Sequence, residues 1–294
     1  MTMMIEGVLE HLDEAVAAAP ERSAHVPLAS CSLFGFNFVN DGNLSTIVDR
    51  ITGPQPADDL LPFVVTPNVD YIVRLREAGL ADLAETLPRA RYVLPDGQPI
   101  VWTSRFTREP LAARLAGSSM FPVVWKTVVE ERRRAVVIAS TEQTAQLLKK
   151  EHPDAGVIVP PHFDADDPLQ VASVAARCHA LIEEIDPEFV FVGIGFPKQQ
   201  RIALALVESL GAAGRPVPLF LLLGGSFEMY LGQVKRAPEW MQRCGLEWFF
   251  RFAQEPRRLF RRYFITDMRF AGLFVEELLR SRAVRRSAAR RAIT

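Results

Sequence analysis

The chain has 294 residues, of which 49% are hydrophobic and 23% charged, and its net charge is −1. This is the composition of a folded protein with a sizeable core, and so small a net charge gives no global field to draw in a polyanion. The three cysteines, Cys31, Cys178 and Cys244, are far apart in sequence, which excludes a paired disulfide framework and a Cys-x-x-Cys metal site; they read as small buried hydrophobes in a reducing compartment.

The first 23 residues, MTMMIEGVLEHLDEAVAAAPERS, carry acids inside an apolar pattern and no basic start, which predicts a short amphipathic helix rather than a signal peptide. No run approaches the roughly 18 apolar residues that a bilayer span needs. Seven apolar runs bounded by Pro, Gly or Asp then follow: SLFGFNFV, LPFVVTPN, RYVLPDG, RAVVIAS, AGVIVPP, FVFVGIG and PLFLLLGG. Each reads as a buried strand. Helical patterns separate the later ones, in TEQTAQLLKKEHP, DPLQVASVAARCHALIEEIDP and PKQQRIALALVESLGAAG. Strands alternating with helices predict an α/β, Rossmann-like fold, a mostly parallel sheet flanked by helices. The organisation expected is an N-terminal extension over 1–31, an α/β core over 32–234 and a basic C-terminal helical appendage over 235–294.

In parallel sheets ligands bind outside the carboxyl ends of the strands, so TPN, PDG, GFPKQQ and GGSFE mark candidate ligand edges. Thr66 and Asn68 would face a ligand there, or one of them would cap the helix beginning at VDYIV. Asp96 with Gly97 is turn chemistry or a general base. Gly193 and Gly195 would let a ligand approach the backbone, although VGIGFPKQQ is not a dinucleotide fingerprint. Gln199, in the first helical turn, could hydrogen-bond a polar ligand, and Gly224 and Gly225 repeat the arrangement after the next strand. FDADDP could be a DxD metal–diphosphate motif, but directly before a helical pattern Asp166 or Asp167 reads better as an N-cap. The five histidines show no metal spacing.

The C-terminal fifth is different in charge. From Lys235 to Thr294 there are 15 Lys and Arg against 6 Asp and Glu, a net +9, so the first 234 residues carry −10. Within it, GLEWFFRFAQEPRRLFRRYF sets five arginines among seven aromatic residues. Pro256 predicts a break near Glu255 and two short helices in place of one.

Taken in order, TPN, PDG, GFPKQQ, GGSFEMYLGQVKRAPEW and GLEWFFRFAQEPRRLFRRY resemble the WecG/TagA/CpsF glycosyltransferases, from about Ser32 to about Tyr263. The resemblance implies an inverting transfer of a sugar from a UDP-sugar to a polyprenyl-diphosphate-linked acceptor. It implies no metal and no cofactor, and a place on the cytoplasmic face of the plasma membrane, in cell-surface polysaccharide synthesis. It makes Asp96 the catalytic base and puts Thr66, Asn68 and Gln199 in the sugar and nucleotide pocket. Arg251, Arg258 and Arg261 then close over the diphosphate. Self-association and contact with an anionic membrane surface are further expectations; N-acetylmannosamine, its uronic acid and glucose are donors among relatives. The chain departs from the family where PKQQ stands for PKQE, so that Gln200 replaces a carboxylate, and in the loops after VVIAS and VIVPP. Those departures motivate an alternative, a non-catalytic nucleotide-sugar-binding or scaffold protein. Arginine interleaved with aromatics could also stack bases, but the acidic remainder opposes a polyanion and no nucleic-acid partner is expected.

Overall fold

The computed structural model describes residues 28–291 apart from 57, 236, 239, 242, 243, 262, 263, 265 and 266; at 258, 261, 267 and 283–291 it describes the backbone alone. The amphipathic helix expected at the N-terminus lies outside the described residues. The first half of the chain forms β1 (Ser30–Leu33), β2 (Phe36–Val39), α1 (Leu44–Thr52), β3 (Leu61–Val65), α2 (Val69–Arg74), α3 (Ala81–Thr86), β4 (Ala90–Val93), α4 (Gln98–Ser104) and α5 (Gly117–Glu130). Then come β5 (Ala135–Ile138), α6 (Glu142–Glu151), β6 (Gly156–Ile158), α7 (Pro168–Ile185), β7 (Phe189–Val192), α8 (Lys198–Ala212) and β8 (Leu219–Leu222). The C-terminal part adds α9 (Ser226–Tyr230), α10 (Glu247–Gln254), α11 (Pro256–Arg261) and α12 (Phe270–Arg291).

Strands β3 to β8 form a six-stranded sheet in the order β4-β3-β8-β7-β5-β6, every pair parallel. The central strands β5, β7 and β8 are buried at every position, which is why they read as unbroken apolar runs: helices cover both faces. Phe63, Val65, Val136, Ile138, Phe220 and Leu222 pack into one core with α7 and α8. Alternate residues Val64, Val137, Phe191 and Leu221 pack into the other with α1 and α5, as the two-residue period of a strand requires. The expected α/β architecture is what the chain adopts.

SLFGFNFV is not a strand of that sheet. It folds back on itself as an antiparallel hairpin, β1 against β2, with Leu33 opposite Phe36. Phe34 and Gly35 take φ of 54° and 87°, the paired positive values of a two-residue type I′ turn. Cys31 and Cys178 are buried as expected, but Cys244 is exposed, because it sits in the turn that leads into α10.

The register places the strand ends level. Val65 pairs with both Val93 and Leu222, Leu222 with Val192, and Val192 with Ile138. All the carboxyl-end loops therefore leave the sheet from one edge. The C-terminal helices reach back to the body: Glu277 of α12 accepts the Phe34 N–H at 3.2 Å, and the rings of Phe34 and Phe270 lie 5.2 Å apart. Among the described residues no helix is long and apolar enough to cross a membrane.

Candidate active site

β4, β3, β8 and β7 are neighbours, so their carboxyl ends span about 14 Å at the usual strand spacing. The turns after β3 and β4 are stitched together, since Leu94 N–H donates to Val65 O at 2.9 Å and Asp96 N–H to Pro67 O at 3.1 Å. The half-buried Asp96 consequently stands beside the Thr66-Pro67-Asn68 turn. Asn68 caps α2, its Oδ1 accepting the Tyr71 N–H at 3.0 Å. Capping engages the carboxamide oxygen and not its NH2 donors. Thr66 faces the first residue of α5: a Cβ built on Gly117 would stand 3.3 Å from Thr66 Oγ1 and 3.2 Å from Ser226 Oγ. Thr66, the α5 N-terminus and the start of α9 thus meet at one point.

The loops after β7 and β8 are joined in the same way. Gln199, buried in the first turn of α8, uses its side-chain oxygen to accept the Gly224 N–H at 2.9 Å. Its role is first to hold the β8 edge against the β7 edge; Gly225 beside it is exposed. Gln200 is fully buried and points into the body, with Nε2 3.5 Å from the Tyr71 hydroxyl. Burial holds the Tyr71 hydroxyl well above its ordinary pKa, with the Gln200 hydrogen bond opposing. In this chain the PKQQ departure therefore bears on the packing between α8 and α2. Gly193 has its side-chain space occupied by the Phe227 ring, so it is not open to a ligand as the sequence suggested.

On the far side of β7, Ser140 at the end of β5 donates a short hydrogen bond to Glu228 Oε1. Glu228 Oε2 is buried with no hydrogen-bond partner. A Cβ on Gly225 would lie 3.8 Å from that oxygen, so a second carboxylate borders the same edge. It lies inside the GGSFE segment but was not singled out from sequence, because its side chain reaches β5 rather than its own loop. FDADDP is a cap, as expected. Asp167 Oδ1 accepts the Leu169 N–H at 2.9 Å, and Asp164 Oδ1 accepts the Asp166 N–H at 3.0 Å. Hydrogen bonds from the Gln170 side chain and backbone hold the Asp167 carboxyl below its ordinary range.

The appendage breaks where Pro256 predicts: α10 ends at Gln254, Glu255 bends, and α11 starts at Pro256. Glu247 and Arg251 occupy the first and last turns of α10. Glu247 Oε2 accepts from Arg114 Nη1 at 2.7 Å, which ties α10 to the loop before α5. Gly245, at φ 73°, seats the preceding turn on α4, with room for a Cβ closed off by Trp102 at 3.0 Å and Gln98 at 3.2 Å. Arg258 and Arg261 lie on α11, with side chains outside the described residues. Arg114 carried no signal as a single residue in a loop without a motif.

Comparison with known proteins identifies the family. The Glycosyl transferase WecG/TagA/CpsF family matches residues 31–284. The N-acetylglucosaminyldiphosphoundecaprenol N-acetyl-beta-D-mannosaminyltransferase of Bacillus subtilis (strain 168) is 29% identical over 181 residues, 60% of this chain and 66% of the relative. The enzyme of the same name from Bacillus spizizenii is 28% identical over 224 residues, 74% of this chain and 81% of the relative. That from Staphylococcus aureus (strain MRSA252) is 25% identical over 237 residues, 79% and 87% of the two chains. With the match running from the hairpin through the sheet edge to α12, the chain belongs to the WecG/TagA/CpsF family of glycosyl transferases.

Proposed function

We propose that this protein is an inverting glycosyltransferase that moves a sugar from a UDP-sugar to a polyprenyl-diphosphate-linked acceptor. The names of its relatives make N-acetylmannosamine the first donor sugar to test and N-acetylglucosaminyl-diphosphoundecaprenol the first acceptor. The observation that carries the reading is the placement of Asp96 beside Thr66 and Asn68 at a strand edge to which the arginine-bearing helix α10 is tied. Asp96 takes the proton of the acceptor hydroxyl as that oxygen attacks the anomeric carbon. The anomeric C–O bond to UDP breaks on the opposite face, inverting the centre, and the bonding electrons leave with the β-phosphate. Arg251, Arg258 and Arg261 offset that charge, because guanidinium groups bind phosphate bidentately and stay protonated at any working pH. No metal is needed for this step, so turnover should persist in EDTA.

The acceptor's lipid is met by the appendage. Trp248, Phe249, Phe260 and Phe264 expose their rings on and beside α10 and α11, while Phe250 is half-buried. Large apolar side chains beside basic ones suit a peripheral position on an anionic membrane surface, with about 1 kcal/mol for each basic residue near the lipid.

The test is UDP binding by calorimetry against ADP and GDP, in EDTA with detergent or lipid present, followed by turnover. Selective UDP binding that weakens in Arg251→Ala is expected. Asp96→Asn should keep UDP binding and lose turnover by about 10²- to 10⁴-fold. Turnover that survives Asp96→Asn would remove Asp96 as the base. UDP-sugar binding without turnover on any lipid-diphosphate acceptor would favour a nucleotide-sugar-binding scaffold instead.

A further inference from the structure

Helix α10 carries Arg251 but buries none of its residues fully, and no side chain caps its N-terminus. Half-buried Phe250 and Phe252 and the Gly245 turn seated on α4 fix it only in part, so a polar tie to the body has a share in setting where Arg251 stands. The Arg114–Glu247 pair is built for that. Its N···O distance is 2.7 Å and each side chain is only 15% exposed. A pair so far withdrawn from water is costly to split, because either partner alone keeps a desolvated charge; exposed pairs such as Lys126–Glu130 have no such penalty.

Both ends of the pair lead to the chemistry. On the helix, Arg251 follows Glu247 by four residues, so the two share a face about 6 Å apart along the axis. On the body, the residue after Arg114 donates its N–H to Pro95 O at 2.8 Å, and the residue after Pro95 is Asp96, itself bonded to Pro67 O. A short path of hydrogen bonds and one helical turn thus connects Asp96 to Arg251.

We propose that Arg114 is a positioning residue: its ion pair with Glu247 holds α10 so that the Arg251 guanidinium stays in register with the Asp96 edge. The consequence for turnover rests on the glycosyltransferase reading above, whereas the consequence for α10 does not.

The experiment uses the full chain in detergent. Hydrogen exchange of the 247–254 amides is compared in wild type, Arg114→Ala, the milder Glu247→Gln, and the charge exchange Arg114→Glu with Glu247→Arg. Each single variant is expected to speed exchange of α10 by about tenfold while β7 and β8 keep their protection, and the exchanged pair to recover most of it. Turnover adds a second readout. Arg114→Ala should lower it about as much as Arg251→Ala, and the combined variant should be no worse than Arg251→Ala alone, because one acts through the other. Unchanged α10 exchange in both single variants overturns the proposal, as does a combined variant whose losses multiply. If no substrate supports turnover, the functional reading fails and the exchange comparison still decides the role of Arg114.

Discussion

A Cβ built on Gly193 would lie 2.4 Å from two ring carbons of Phe227, a side chain with no exposed surface. Gly193→Ala should therefore cost about 1–3 kcal/mol by overpacking and lower the melting temperature by several degrees in calorimetry. From sequence this glycine looked like room for a ligand; Phe227, which fills the space, comes 34 positions later, and no local pattern links the two. Asn68 shows how two roles can be separated. Serine caps as well as asparagine, so Asn68→Ser should leave the melting temperature unchanged and reduce turnover if the NH2 group meets the substrate. Retained turnover would leave Asn68 as a cap alone. The cysteines yield a third test. Burial pushes the Cys178 thiol up to about 12, against a smaller opposing effect of the Arg177 charge, and burial also raises Cys31. At pH 8 the thiolate fraction of Cys178 is then about one in ten thousand. A chromogenic thiol reagent should titrate one cysteine in the native protein, the exposed Cys244, and three in denaturant.

At the scale of elements, the strands that sequence made legible are those covered on both faces. FVFVGIG and PLFLLLGG have no polar alternation to confuse with another structure, and Pro256 alone was enough to locate the break at Glu255. The hairpin was hidden because Phe34-Gly35 lacks the usual Asn-Gly or Asp-Gly turn, and its eight residues have the length of a single strand. The stitched loops were half legible. Glycine, proline and polar residues after each strand marked the edge, but the bonds from Asp96 to Pro67 and from Gly224 to Gln199 join segments 29 and 25 residues apart, which only the sheet order brings together. The break itself can be tested. Pro256→Ala removes the clash with the carbonyl one turn back, so α10 and α11 can merge, which moves the backbone that carries Arg258 and Arg261 about 10 Å or more along one axis from Arg251. Lower turnover and weaker UDP binding at an unchanged melting temperature are expected.

Over the whole molecule the charge is divided, −10 before Lys235 and +9 from there on. Binding to vesicles containing anionic lipid should therefore weaken steeply as salt rises from 0.05 to 0.5 M, on the order of the Debye length shrinking from about 14 to 4 Å. Neutral vesicles should bind weakly at every salt concentration, and equal binding to both would remove the electrostatic part of the membrane reading.

The bond from the Phe34 N–H to Glu277 spans 243 positions, and it has a consequence for how the chain is made. At roughly 5–20 residues per second, the hairpin leaves the ribosome about 12 to 49 s before the helix that covers it. During that interval Phe34 is without its Phe270 neighbour, and the newly made chain presents an apolar turn to whatever holds nascent proteins. Helix α12 is made long after the hairpin it covers, so a chain arrested before Glu277 would keep that turn uncovered and stay a client of the chaperones that met it.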